Sequence, residues 1–262
     1  MKLREVIQVL ESLAPLGLAE EWDNVGLLVG NADASVRRIM TCLTVTDTTV
    51  KEASDRRVDL LIPHHPIPFK PLSRITSEQT TGRLLLKMVR NGIAIFSMHT
   101  AWDNAPDGIN RQLARSLDLE DPTPLTLSSI APLREANLGS GICGRLPTPM
   151  SVADIQHRLE SVLSITAARH THNSDRPITK LGIVCGSGGS LVGLAAQRGC
   201  DGFLTGEATY HQCLESEALG LAMLMIGHHA SEFFAMQHLA ELLTQQLPSV
   251  ECFASTQEHS RF

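Results

Sequence analysis

Residues 38–65 read RIMTCLTVTDTTVKEASDRRVDLLIPHH, and the fold follows from how this stretch is parsed. Arg38 to Val45 is a short apolar run of strand type, Asp47 can cap a helix from about Thr49, and Val58 to Ile62 is a second strand. A helix between two apolar runs is the grammar of a parallel sheet, because parallel strands need a crossover and are covered on both faces. The pattern continues outward. Residues 80–90 predict a helix with Leu84, Leu85, Met88 and Val89 inward and Asn91-Gly92 as its C-cap, and Ile93 to Met98 is a third strand. Ahead of them, Leu3, Val6, Ile7, Leu10 and Leu13 recur at helical spacing until Pro15 stops the helix.

The second half follows the same order. Lys180 to Cys185 reads as a strand, Ser190 to Arg198 as a helix ended by Gly199, and Gly202 to Thr205 as a strand running into Gly206-Glu207. Residues 38–65 and 180–207 are equally long and share the order strand, turn, helix, strand, polar pair. A helix at about 211–219 and the strand Ala222 to Ile226 then lead to His228, as residues 80–98 lead to His99. The matched order predicts an α/β protein of two similar α/β lobes. The first would span 1–125, and 126–262 would hold a connector and the second lobe, with the connector in the Pro- and Gly-rich region 120–150. Ser151-Val152-Ala153-Asp154 is a capping box that opens the next helix.

Composition narrows the function. The chain has 262 residues, 43% hydrophobic and 19% charged, which fits an ordered globular protein. A formal net charge of −6 argues against a general nucleic-acid binder, since phosphate contacts need clustered Lys and Arg. No apolar stretch is long enough to span a membrane and Met1 to Val6 lacks the apolar core of a signal peptide, so a cytoplasmic protein is expected. The six cysteines form no Cys-x-x-Cys pair, and Cys42 and Cys185 lie in apolar runs as small core residues.

The chemistry concentrates at strand ends, where parallel sheets bind ligands. His64 and His65 follow the second strand, His99 the third, and His228 the matching strand of the second half. Asp103 and Glu232 each lie four residues past a histidine. Imidazoles and carboxylates gathered at such ends point to divalent metal. Adjacent histidines in extended chain point opposite ways, so His64 and His65 need a loop conformation, or two metals, to act together. Asp23 and Glu207 are carboxylates suited to orienting ligand histidines. Gly186-Ser187-Gly188-Gly189-Ser190 matches neither the P-loop nor the dinucleotide fingerprint and reads as a tight turn. Trp22 and Trp102 suit either base stacking or core packing. His157, His170, His172, His211, His238 and His259 lack a strand-end context and read as surface or structural; a stray ion on His170 and His172 is the weak alternative.

Glu21-Trp22-Asp23-Asn24-Val25-Gly26-Leu27, Pro63-His64-His65-Pro66, His99-Thr100-Ala101-Trp102-Asp103, Thr205-Gly206-Glu207 and Gly227-His228-His229-Ala230-Ser231-Glu232 occur in this order along nearly the whole chain. Together they resemble the GTP cyclohydrolase I type 2 family, the Nif-three-like proteins. The resemblance implies two α/β lobes with a dinuclear metal site between them, assembled as a homohexamer. It implies His64, His65, Asp103, His228 and Glu232 as ligands, with Glu232 bridging and His99 beside the metals rather than on them. The inserted domain of longer members is absent, because only about 55 residues separate Pro122 from Pro177.

Three neutral imidazoles and two carboxylates facing two divalent cations leave about +2, which favours an anionic small-molecule substrate. Nitrogen and oxygen donors without sulfur suit Zn, Mn, Fe or Co better than Ca. The expected function is therefore metal-dependent hydrolysis of a nucleotide or phosphorylated small molecule, GTP ring opening being the reaction in the family's name. The alternative is a metal-binding assembly or regulatory protein without turnover. The sequence marks no general acid or other catalytic group.

Overall fold

Short, fully buried runs form the inner parallel strands Leu60–Pro63, Ala94–Ser97 and Gly202–Thr205, with helices between successive strands. A computed structural model describes residues 1–163, 168–171 and 176–259; His172 lies outside the described residues. The chain is mixed α/β and divides into two compact units, Met1–Trp102 with Ala235–Phe262, and Asp103–Phe234.

The first unit holds a five-stranded sheet in the order Gly26–Val29, Ala94–Ser97, Leu60–Pro63, Arg38–Cys42, Glu251–Ala254. All neighbours are parallel except Gly26–Val29, which lies antiparallel on Ala94–Ser97. Ile39 is registered on Leu60, Thr41 on Ile62 and Cys42 on Pro63. The helices Leu3–Leu13, Asp47–Asp55 and Thr80–Arg90 form as the apolar spacing predicts. Thr46, rather than Asp47, caps the helix Asp47–Asp55: its side chain accepts from the Thr49 amide. Asp47 instead binds Arg83 and Lys87 at 2.9 and 2.7 Å. Leu84, Leu85 and Met88 are buried, whereas Val89 faces out, because it falls beyond the buried stripe set by its neighbours.

The second unit holds a six-stranded sheet in the order Glu120–Thr123, Ile142–Met150, Ile178–Val184, Gly202–Thr205, Ala222–Met225, Arg169–His170. Its three successive parallel strands, Ile178–Val184, Gly202–Thr205 and Ala222–Met225, are flanked by antiparallel neighbours. The expected helix from Ser190 is a 3₁₀ turn, Gly188–Leu191, followed by the α-helix Val192–Gln197. The Ser151 capping box forms as read, with the Asp154 amide donating to Ser151 Oγ at 3.1 Å.

Two expectations about organisation change. The region 120–150 is not a connector, since Glu120–Thr123 and Ile142–Met150 are sheet strands. Pro147 and Pro149 obscure that in the sequence, yet they sit where the register on Ile178–Val184 is irregular and no ladder donor is required. The units also do not divide at residues 125 and 126. The strand Glu251–Ala254 pairs with Arg38–Cys42, which makes the first unit discontinuous in sequence. Among the described residues no helix is long and apolar enough to cross a membrane.

Leu61 is fully buried in the second parallel strand of the first unit. Leu61→Ala should lower stability by about 2–5 kcal/mol, the usual cost of a large-to-small core change. Urea unfolding followed by circular dichroism checks it; a loss under about 1 kcal/mol would contradict the packing described.

Candidate metal centre

In the first unit, the ladder runs past the end of the strand Leu60–Pro63. His64 donates its amide to Cys42 O at 2.8 Å and His65 donates to Leu43 O at 2.9 Å. Consecutive amides aimed at the same neighbour break the alternation of an extended strand. The two rings therefore come together, with centroids 5.1 Å apart. His64 is also held through its carbonyl, which accepts from Ser97 Oγ at 2.8 Å. His65 Nδ1 shares a 2.8 Å hydrogen bond with Thr44 Oγ1, and the Thr44 amide donates to Glu258 Oε1 at 2.8 Å.

His99 completes this cluster from the start of the short helix His99–Asn104, at a backbone φ of 35°, a left-handed conformation in which histidine is enriched. Its Nδ1 donates to Asp23 Oδ1 at 2.7 Å, and Asp23 also accepts from the Thr100 amide at 3.1 Å. Burial raises the Asp23 carboxyl, but the bonds from His99 and Thr100 outweigh it and hold the group below its ordinary value. One ligand atom each from His64, His65 and His99 fits within 4.8 Å.

In the second unit the arrangement is built on glycines. Gly227, at φ 90°, opens the short helix His228–Glu232, which sets His228 and Glu232 one turn apart. His228 Nε2 lies 3.1 Å from Glu232 Oε2, and His228 Nδ1 donates to Glu207 Oε1 at 2.9 Å. The Gly186 amide donates to Ser231 Oγ at 2.9 Å, and the Glu207 amide donates to Gly186 O at 2.9 Å. Gly186 has φ +59°; a Cβ there would collide with Glu232 Oε1 and lie 3.4 Å from His228 Nε2. Only glycine leaves the space over these donor atoms open.

Asp103 faces the Cys185 thiol, which donates to it. Burial, together with the Asp103 and Glu232 carboxylates, pushes that thiol well above its ordinary value and keeps it neutral. The Cys185 amide is itself fixed by Asn110 Oδ1 at 2.9 Å.

The sequence-derived residues thus fall into two groups. His64, His65 and His99 gather in the first unit with Asp23 behind His99; Asp103, His228 and Glu232 lie in the second, with Glu207 behind His228. Each of the two helix-start histidines has its Nδ1 anchored on a carboxylate, which fixes the ring's orientation. The residues therefore fit divalent cations of the nitrogen- and oxygen-binding class. Sequence reading missed Thr44, Thr100, Ser231 and Glu258, whose parts depend on long-range pairing, and it took Cys185 for core alone. Trp102 is core, 1% exposed, and Trp22 is 61% exposed.

Two outcomes follow from this geometry. Gly186→Ala should weaken divalent-cation binding at least tenfold, roughly 1.4 kcal/mol. Gly199→Ala, equally left-handed at φ +71° but with nothing within 4 Å of its Cβ, should leave it unchanged. Calorimetric metal titration of both variants separates the collision from backbone strain.

The second outcome concerns pH. The Glu232 bond, with Glu207 adding to it against the opposing effect of burial, pushes His228 up to about 9. A raised imidazole stabilises the metal-free fold fully below its ordinary value near 6.5. That contribution is lost as pH rises through about 9. An entering cation must displace this proton, so its affinity should increase as pH rises across that window, with proton release. Titration in buffers of different ionisation enthalpy reads the release; a proton count of zero at neutral pH would contradict it.

A family profile described as Duf34/NIF3 (NGG1p interacting factor 3) matches residues 1–260. A "GTP cyclohydrolase 1 type 2 homolog" from Clostridium perfringens is 32% identical, covering 100% of this chain and 99% of that protein. "NIF3-like protein 1" from Drosophila melanogaster is 33% identical over 98% of this chain and 86% of its own length. Among solved structures, a Bacillus cereus protein related to NIF3 has the same fold, with a TM-score of 0.88 at 22% identity, covering 100% of this chain and 98% of that one. Reduced HcgD from Methanocaldococcus jannaschii superposes with a TM-score of 0.83 at 28% identity over 97% of each chain. With its full length matched by both the profile and the relatives, the chain belongs to the Duf34/NIF3 family.

Proposed function

We propose that this protein is a dinuclear metal-dependent hydrolase of a nucleotide or other phosphorylated small molecule. The observation that carries the reading is His228, a proposed ligand at the carboxyl end of a parallel strand, whose Nδ1 is anchored on Glu207 at 2.9 Å. Anchoring of Nδ1 by a carboxylate is what a metal-binding imidazole requires. The residues that would hold the cations in this reading are His64, His65, Asp103, His228 and Glu232. When bound, two cations of the Zn, Mn, Fe or Co class supply Lewis acidity for activating water.

The chain's own groups have distinct tasks. Asp23 and Glu207 hold His99 and His228 in one tautomer. Gly186 keeps space open over Glu232, and Cys185 steadies the Asp103 carboxylate. His99 sits beside His64 and His65, where it can orient substrate or water. The names carried by relatives make GTP the first substrate to test, and a homohexameric, cytoplasmic protein belongs to the same reading.

Elemental analysis of the purified protein should find close to two divalent cations per chain. His65→Ala or Glu232→Ala should remove at least one; unchanged content in both would refute the ligand set. Hydrolysis across a panel of nucleotides and phosphoesters should cease on chelation and return with Mn or Zn. Glu232→Gln should keep the fold and lose most activity, on the order of 100-fold, because a neutral amide would hold divalent cations poorly. A metal-loaded protein inert to the whole panel would instead favour the assembly or regulatory reading.

A further inference from the structure

Beside the histidine cluster of the first unit stands an aromatic group that the metal reading does not use. Trp22 and Phe69 are 61% and 45% exposed, although each is a large apolar side chain. Their ring centroids lie 5.9 Å apart at 58°. Both rings also meet His99 edge-on, Trp22 at 6.0 Å and Phe69 at 6.2 Å.

The wall is built rather than incidental. Trp22 and Phe69 come from separate loops, and Asn24 Nδ2 of the first donates to Pro68 O of the second at 2.7 Å. Next to Trp22, Asp23 is tied to His99 and Thr100. Both exposed rings are thus mounted on backbone that is fixed to the cluster. The segment that carries Phe69 also carries Lys70 and Arg74, both exposed, in a chain whose overall charge is negative.

We propose that Trp22 and Phe69 are specificity-determining residues that grip a planar fused-ring heteroaromatic group of an anionic substrate, holding it against His99. Exposed aromatic faces bind such rings by stacking, a contact tolerant of ring identity because every base has a π-face. The cations of the same segment suit the anionic part. This inference rests on the metal reading for the placement of the reacting end, but not for recognition of the ring.

The test uses the full chain loaded with zinc and three probes, GTP, ATP and flavin mononucleotide, against inorganic triphosphate, which has no ring. Of the two tryptophans, Trp102 is 1% exposed, so ring-dependent quenching reports on Trp22. At least one ring-bearing probe should quench the emission, and triphosphate should not. Trp22→Ala and Phe69→Ala should each weaken that probe about tenfold by calorimetry, with triphosphate affinity and bound zinc unchanged. Trp22→Phe should recover most of the loss. The proposal is overturned if no ring-bearing probe binds better than triphosphate, or if both alanine variants bind it as the wild type does. It is equally overturned if they change only the oligomeric state in light scattering, which would make the patch an interface between copies. Failure of the metal reading shows separately, as protein that takes up no zinc, in which ring-dependent quenching of Trp22 can still be measured.

Discussion

Backbone pairing that runs one step beyond the last apolar residue of a parallel strand is the constraint on which this molecule depends. At the end of Leu60–Pro63 it fixes His64 and His65 through two consecutive amides. At the end of Ala222–Met225 the same device appears: Ile226 donates to Thr205 O at 3.0 Å and Gly227 to Gly206 O at 2.8 Å. Both amides of each pair turn to one neighbour, which ends the pleat and releases the chain into a turn. The apolar core enforces the register that makes this possible. Strands such as Leu60–Pro63 are buried on both faces, and a slip of one residue would move the pairing of every polar residue that follows. Precision in the donor groups is thus inherited from packing.

Carboxylates supply the next level of order. Asp23 is held below its ordinary value by His99 and Thr100, and Glu207 by His228 and Ser187, so both are anionic acceptors well below neutral pH. Each faces the Nδ1 of a histidine at the start of a short helix. Hydroxyls do similar work for the rest: Thr44 meets His65, Ser231 meets Gly186, and Ser97 meets the His64 carbonyl. Few of the polar groups in either cluster are therefore left to rotate, which is the condition for a preorganised site.

Much of this was legible in the sequence because it depends on local order. Apolar runs ending in histidine, glycine after the helices and carboxylates four residues past His99 and His228 are all readable along one short stretch. What escaped depends on pairing between distant segments. Glu251–Ala254 carries no local sign that it will lie beside Arg38–Cys42, so the discontinuity of the first unit was not visible. Pro147 and Pro149 disguised the strand Ile142–Met150, since their tolerance rests on a register irregularity that only the neighbour defines. Val89 faces out for a simpler reason: an apolar side chain next to a buried stripe looks the same in sequence on either side of it. Cys185 is buried in the core as its apolar run implies, but the carboxylate that it meets comes from a helix far away along the chain.

The tail that follows Glu251–Ala254 has a consequence for the order of events at synthesis. Glu258 accepts the amides of Leu43 and Thr44 at 2.7 and 2.8 Å, and Thr44 in turn holds His65. Ser255 and Thr256 also close over Glu52 of the helix Asp47–Asp55. A chain emerging vectorially from the ribosome therefore completes all of Asp103–Phe234 before the surroundings of His65 exist. Until then the imidazole pair sits on an unfinished sheet edge, with one ring lacking the support of its threonine. Support for His65 therefore comes late in chain order, since the residues that fix its threonine lie near position 258, almost two hundred residues after the imidazole itself.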